Sequence, residues 1–336
     1  MNGSVDIITR FQTPLLLFMY NTHRHGIAGC GVTKIYILFE RGEYKMYIKK
    51  MMEDWKNELY EEFDLQPAID EIGTRKLLDM FLDNIGNTES YVRENVLEAI
   101  GMLICGMSVL SPDDYLHALS TSLSETHLFN GIGGAENDAA FCRAFSSFIV
   151  AQVIHVDGRQ CFLSHAQYLE VLDKATEYMI LEKDRRGFIY GGKGIVHAIP
   201  HGTSMLMTLI EHPKFPKEYT IRVLDSIKCN IVGKGRFAAD DWADRSLAET
   251  IAVLLNKGIS EDIIKEWIET LLPPIDAGIG KYTDEHYPYI QMGSDIEHFL
   301  MYVYFDLKKK SIFDGLGEWI FEYFAKLWKK VYLHIP

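Results

Sequence analysis

Two histidines four residues apart, His197 and His201, close the stretch EKDRRGFIYGGKGIVHAIPHGTS that runs from Glu182 to Ser204. Imidazoles at i and i+4 of a helix are neighbours on one face, where they can grip one metal ion or share a proton. Glu182 and Asp184 are carboxylates able to serve as acid–base partner, while Arg186 and Lys193 are cations able to hold an anion. Gly191, Gly192 and Gly194 permit positive φ or the close approach of backbone to a ligand. Zincins place Glu directly after the first His, and here Ala198 stands there. A divalent metal at His197 and His201 therefore needs a further ligand, with Glu182, Asp184, Asp240 and Asp241 as the candidates. The plainer reading makes the same residues a polar joint: ion pairs at a helix end, arginines near its negative terminus, histidines hydrogen-bonded in place.

Pro200 bears on the choice. A helix starting near Gly194 would hold Pro200 inside it, leave the Val196 carbonyl without its partner and kink between the histidines. A start nearer Pro200 would leave His197 outside and lose the shared face. The sequence reading favours the kinked helix.

The elements that must position these residues are helical. Apolar residues recur at three- and four-residue spacing over Asp54 to Phe63, Ala68 to Ile85, Ser90 to Val109, Tyr115 to Leu123, Ala139 to Ile154 and Ser164 to Leu181. The pattern continues over Ile195 to Ile210, Lys217 to Ile231, Asp241 to Leu255, Glu261 to Leu271, Ile296 to Leu307 and Ile312 to Tyr332. Ser111-Pro112-Asp113-Asp114 supplies an N-cap, a first-turn proline and two carboxylates near the positive helix end, and Ser260-Glu261-Asp262 is similar. Strand alternation is scarce, and no G-x-G-x-x-G or P-loop occurs. These patterns predict an all-α protein, an irregular helical repeat of the HEAT-like α-solenoid kind, with a closed α/α toroid as the alternative. Thr88 to Ile104, with Val92-Arg93 near its start and Ala99 inside, has the look of the second helix of a HEAT repeat. The last helix carries the stripe Trp319, Ile320, Tyr323, Phe324, Leu327, Trp328 and Val331, which suits closure of the core better than a membrane surface.

Residues 1–50 read as an N-terminal extension, either a small strand pair or, as the favoured reading, a loosely ordered segment ahead of a true start at Met46, Met51 or Met52, and residues 51–336 as a single all-α domain. The extension holds seven basic residues against three acidic ones, a net of +4 in a chain whose net charge is -13. That overall acidity argues against nucleic acid as a partner. Cys30, Cys105, Cys142, Cys161 and Cys229 form no C-x-x-C pair, and Cys105, Cys142 and Cys161, which lie among apolar residues, read as buried thiols in a reducing compartment. No apolar run approaches the ~18 residues that span a bilayer. Ile27-Ala28-Gly29-Cys30 imitates a lipoprotein cleavage site, but His23, Arg24 and His25 interrupt the region before it. The expected location is cytoplasmic, and no membrane attachment is expected from these patterns.

Three linked motifs carry a resemblance. Arg143-Ala144-Phe145-Ser146-Ser147, then Glu182-x-Asp184-x-Arg186-Gly187, then Gly192-Lys193-Gly194-x-x-His197-x-x-x-His201 resemble the R-S-F-S, E-x-D-x-R-G and G-K-G-W-x-H-x-x-x-H pattern of an uncharacterised bacterial domain of unknown function. The resemblance covers roughly Asp70 to Leu255. Ile195 stands in place of its Trp, Pro200 in place of a small residue, and Ser204 where an aspartate would follow the second His. The resemblance implies an all-helical protein and no particular reaction. The expected function is a binding or scaffolding module for a protein or small-molecule partner, its polar centre built from Glu182, Asp184, Arg186, Lys193, His197 and His201, with Arg143 and the Gly192 and Gly194 backbone toward a ligand. The alternative is a hydrolase-like enzyme using the His197/His201 pair with Glu182 or Asp184. Two further polar clusters, Asp241 to Arg245 and the Gly131–Gly134 loop before Asp138, read as an exposed ion pair and a plain helix-capping loop.

Overall fold

The computed structural model describes residues 65–232, 243–271 and 287–332. The expected helix Asp54 to Phe63, the extension 1–50, Asp240 and Asp241 lie outside the described residues. Among those described there are twelve α-helices and one two-stranded hairpin. The helices are α1 (Gln66–Ile72), α2 (Thr74–Leu82), α3 (Ser90–Gly101), α4 (Pro112–Ser122), α5 (Ala139–Gln160), α6 (His165–Leu181), α7 (Ala198–Glu211), α8 (Thr220–Ile231), α9 (Ala243–Asn256), α10 (Glu261–Glu269), α11 (Tyr287–Lys310) and α12 (Asp314–Tyr332).

Local chemistry explains the boundaries. Ser111 and Asp114 form a reciprocal capping box at α4, and Ser164 and Gln167 form another at α6. Ser260 accepts the Ile263 N–H at the start of α10. The expected single helix from Ala68 to Ile85 is two, because Gly73 adopts φ 83° between α1 and α2. The helix expected from Ser90 to Val109 ends its α-helical part at Gly101 and continues as a π-helical turn, Met102–Gly106.

α5 is the centre of the molecule. It packs most extensively against α7, and α4 and α3 lie on its other sides. Contacts then run from α7 to α9, from α9 to α11 and from α11 to α12, while α6 and α8 pack on each other. Ala140, Phe141, Ala144, Phe145, Ile149, Val153 and Ile154 of α5 are all buried in one continuous apolar core. Among the described residues α5 alone is long and apolar enough to cross a membrane, a property the sequence reading missed, yet 78% of its apolar window is buried by neighbouring helices. In α12, Ile320, Tyr323 and Leu327 of the expected stripe are buried and Trp319 and Phe324 pack partly against the core, while Trp328 is 57% exposed, so the stripe closes the core in part. Arg245 pairs with Glu249 one turn on, at 3.3 Å; the expected partner Asp241 lies outside the described residues.

The link between α6 and α7 carries most of the residues singled out from the sequence. It forms β1 (Phe188–Ile189) and β2 (Gly194–Ile195), antiparallel, with Phe188 opposite Ile195 and Ile189 opposite Gly194. Gly191 and Gly192 take the turn at φ 81° and 85°, conformations L side chains rarely adopt.

Candidate functional site

α7 begins at Ala198, not near Gly194, so Pro200 sits in the first turn, where its missing N–H costs nothing. The expected kinked helix is absent for that reason. His197 is the N-cap in a left-handed conformation, φ 49° and ψ 44°, and its carbonyl accepts the His201 N–H at 3.0 Å. The two imidazoles remain close, with ring centroids 6.1 Å apart. His201 is 5% exposed and lies against Phe145 and Phe148, at 5.6 and 5.7 Å between centroids.

Burial, then His197 and Arg93, pull the His201 pKa down to about 3, and burial pulls His197 to about 4. Both rings are therefore neutral near pH 7. A general acid or base works best with a pKa near the operating pH, and these two lie far below it. Neutral imidazoles suit metal binding, but among the described residues no third His, Cys, Asp or Glu joins them in a group able to hold an ion.

The carboxylates face arginines. Glu182, 1% exposed, takes a bidentate fork from Arg143, Nε to Oε2 at 2.6 Å and Nη2 to Oε1 at 3.0 Å. Its Oε1 also accepts the Lys183 and Asp184 backbone N–H groups, each at 2.9 Å. Arg143 Nη1 donates to the Asn130 carbonyl at 2.9 Å. Burial works to lower the Arg143 pKa, but the bonds and charge of Glu182 outweigh it and hold it above its ordinary value. Tyr178 is buried beside Glu182 and donates to the Ala198 carbonyl at 3.1 Å, tying α6 to the start of α7. Burial, reinforced by Glu182, raises its pKa well above the ordinary phenol value.

Asp184 is likewise engaged. Arg186 Nε donates to its Oδ1 at 3.0 Å, and Arg186 Nη2 reaches the Asn137 carbonyl at 2.8 Å. The Arg186 pKa is raised, chiefly by the hydrogen bond to Asp184. Lys193 Nζ binds both oxygens of Asp138, at 2.9 and 2.7 Å. Asp138 occupies the N-cap position of α5 but makes no side-chain cap; Asn137 Oδ1 takes the Ala139 N–H instead, at 2.9 Å.

Arg93 is the residue that sequence reasoning missed as part of this site. It is 0% exposed, its guanidinium carbon 4.0 Å from the Phe141 ring centre and 5.1 Å from that of Phe145. It donates to the carbonyls of Asn87, Lys193 and Ile195. Burial lowers its pKa to about 10, with Glu94 opposing, so it stays charged at neutral pH. The Ser90 N–H adds a bond to the Gly192 carbonyl at 3.3 Å. A Cβ on Gly194, which has φ 77°, would lie 2.9 Å from Ser90 Cβ. The Gly192 carbonyl and the close-packed Gly194 thus dock the hairpin on α3. The available signal was an arginine on the face shared by Val96, Ile100 and Ala99, all buried.

The site residues are therefore gathered, but in internal pairs: Arg143 with Glu182, Arg186 with Asp184, Lys193 with Asp138, and His197 beside His201. Together with Arg93 they brace the base of the hairpin. What the hairpin offers outward is aromatic: Phe188 is 54% exposed and Tyr190 86%, and the two rings meet edge-on at 5.3 Å.

Asp157 anchors a separate buried cluster that the sequence reading passed over. Its Oδ1 accepts the Leu163 N–H at 2.7 Å, and its Oδ2 lies 3.0 Å from both His212 Nε2 and Lys214 Nζ. His212 stacks on Tyr168 at 4.7 Å. This cluster fastens the end of α5 to the end of α7.

No curated protein and no solved structure matches the chain. A family described as a protein of unknown function, DUF2785, matches residues 128–305, a span that begins beyond Arg93 and contains Arg143, Glu182, Asp184, Arg186, Lys193, His197 and His201. That span covers more than half of the chain, and the chain belongs to this family of proteins of unknown function.

Proposed function

We propose that the protein is an intracellular, cytoplasmic binding module in which stacked helices, in the manner of a HEAT-like repeat, present the hairpin 187–196 to a protein partner. Phe188 and Tyr190 make the contact, and the polar centre behind them is the brace that fixes their position. The observation that carries this reading is the contrast in one short segment: every charged group named for chemistry is paired, Arg143, Glu182 and Asp184 in the interior and Lys193 on Asp138 nearer the surface, while two aromatic rings stand in solvent. Aromatic side chains supply large contact area for little conformational entropy, which is why they dominate binding hot spots. A braced hairpin lowers the ordering cost of association further. The run of helix contacts from α4 through α12 supports the repeat reading, and residues 51–336 act as one domain in it. The free thiols Cys105, Cys142, Cys161 and Cys229 agree with a reducing compartment, although Cys161, expected to be buried, is exposed just past the end of α5.

The experiment is proximity cross-linking in cells, comparing the natural chain with a Phe188→Ser, Tyr190→Ser double variant. The reading expects specific cross-linked partners that disappear in the variant while its fold, checked by circular dichroism, is unchanged. Partners retained by the folded variant would refute the hairpin as the contact. Stoichiometric metal in protein purified without chelator or tag, lost on changing His197 and His201 to Ala, would instead establish the hydrolase-like alternative.

A further inference from the structure

A cavity of about 80 Å³ lies at the far end of α5 from the brace, between the π-helical turn, Tyr115 of α4 and the last two turns of α5. Arg143 and Arg159 are sixteen residues apart on this helix, about 24 Å at 1.5 Å per residue, so the two places are distinct. We propose that this cavity binds a small organic carboxylate, with its carboxylate on Arg159 and its apolar body against Met107 and Val156.

The lining carries one formal charge. Arg159 is exposed at the C-terminal turn of α5, and none of the described carboxylates forms an ion pair with it. No Asp or Glu lines the cavity. In a chain with a net charge of -13, a guanidinium left without a carboxylate at a cavity wall is a vacancy for an anion. The other titratable walls are neutral. Burial pushes the Cys105 thiol up to about 12, and burial followed by Arg159 pulls His155 down to about 4. Cys105 is therefore no nucleophile and serves as a soft apolar surface.

Size and wall chemistry select the ligand class. A single water needs about 10–15 Å³ of such space, so the cavity has room for a molecule of about five or six heavy atoms. A dianion such as phosphate calls for more than one cation, whereas one guanidinium fork matches one carboxylate. The walls are polar and apolar in about equal measure, with Ile104, Met107 and Val156 on the apolar side, which suits a ligand carrying both a charged end and a short hydrocarbon portion better than an inorganic ion. The π-turn shapes this wall: Met107 N–H closes on the Met102 carbonyl at 2.9 Å, and Tyr115 fixes the turn by donating to the Ile104 carbonyl at 3.1 Å. Such turns within α-helices are frequent at functional sites.

Calorimetric titration of the full chain with butyrate, and separately with inorganic phosphate at matched ionic strength, tests the proposal. Butyrate should bind saturably in the millimolar range, and more tightly than phosphate. Arg159→Gln removes an exposed side chain and should weaken butyrate by about tenfold or more, the loss of charged hydrogen bonds. Arg159→Lys, which keeps the charge without the fork, should fall between. Ser108→Phe, at an exposed lining position, should abolish binding by filling the space, with the fold of each variant confirmed by circular dichroism. Absence of saturable butyrate binding, equal binding of phosphate, or an affinity unmoved by Arg159→Gln and Ser108→Phe would overturn it.

Discussion

Replacing Arg143 by Met tests whether the polar centre is a brace. The substitution keeps an unbranched, flexible apolar stem, though a shorter one, and removes the guanidinium. Glu182, 1% exposed, would keep the two backbone N–H bonds from Lys183 and Asp184 and lose both charge-assisted bonds, at 2.6 and 3.0 Å. Hydrogen bonds to charged groups contribute about 1.5–3 kcal/mol each, and removing one partner of a buried pair costs about 3–5 kcal/mol because the other charge is stranded. We expect Arg143→Met to destabilise by about 3–5 kcal/mol in urea unfolding followed by circular dichroism. Glu182→Gln keeps a carbonyl acceptor for the backbone and should recover part of that loss in the Arg143→Met background. A double-mutant cycle then gives a coupling of about 2 kcal/mol or more, as for residues in one buried network. A cost below about 1 kcal/mol, the level of an exposed pair, would refute the reasoning, since it would mean that the pair is not what holds the segment.

Other predictions follow from single contacts. Between pH 6.5 and about 4 the unfolded chain binds protons at His201 and His197 while the folded chain does not, so stability should fall with pH by about 1.4 kcal/mol per unit for each ring. His201→Phe should remove about one proton's worth of that slope in unfolding measured across this range, and an unchanged slope would show that the ring is not buried neutral. Gly202 lies where a Cβ would approach Tyr178 Cε1 to 2.5 Å and Met179 Sδ to 2.7 Å. Gly202→Ala should therefore destabilise by about 1–3 kcal/mol by separating α6 from α7, although alanine is the better helix former; a stabilised variant would contradict the close approach. Ser164→Ala removes the capping box of α6 and should cost about 1 kcal/mol by the same unfolding assay, with no change pointing to a frayed helix start.

The helices were legible because apolar spacing and caps are local properties. Ser111, Ser164 and Ser260 mark starts where the structure has them, and the buried face of α12 follows its stripe. Boundaries set by tertiary contacts were not legible. Pro200 is compatible with an interior kink or a first turn, and the choice was made by His197, which turns left-handed where β2 ends. The pairing of Glu182 with Arg143 spans 39 residues, and the resemblance named both without joining them. Arg93 stands 100 residues from the Lys193 carbonyl it holds, and no spacing rule links them. The glycines were read as room for a ligand, but Gly194 is small because α3 lies against it, a reason visible only once α3 and the hairpin are side by side.

The most direct test of the brace is hydrogen–deuterium exchange across residues 187–196 in the natural chain and in Arg143→Met. The Val196 N–H bonds the Gly187 carbonyl at 3.0 Å, and the segment is tied to α3 through Arg93 and Ser90. The account predicts slow exchange at Val196 in the natural chain, comparable with the ends of α6 and α7, and faster exchange on loss of Arg143. Exchange at the rate of an unstructured peptide in the natural chain, or protection indifferent to Arg143, would contradict it.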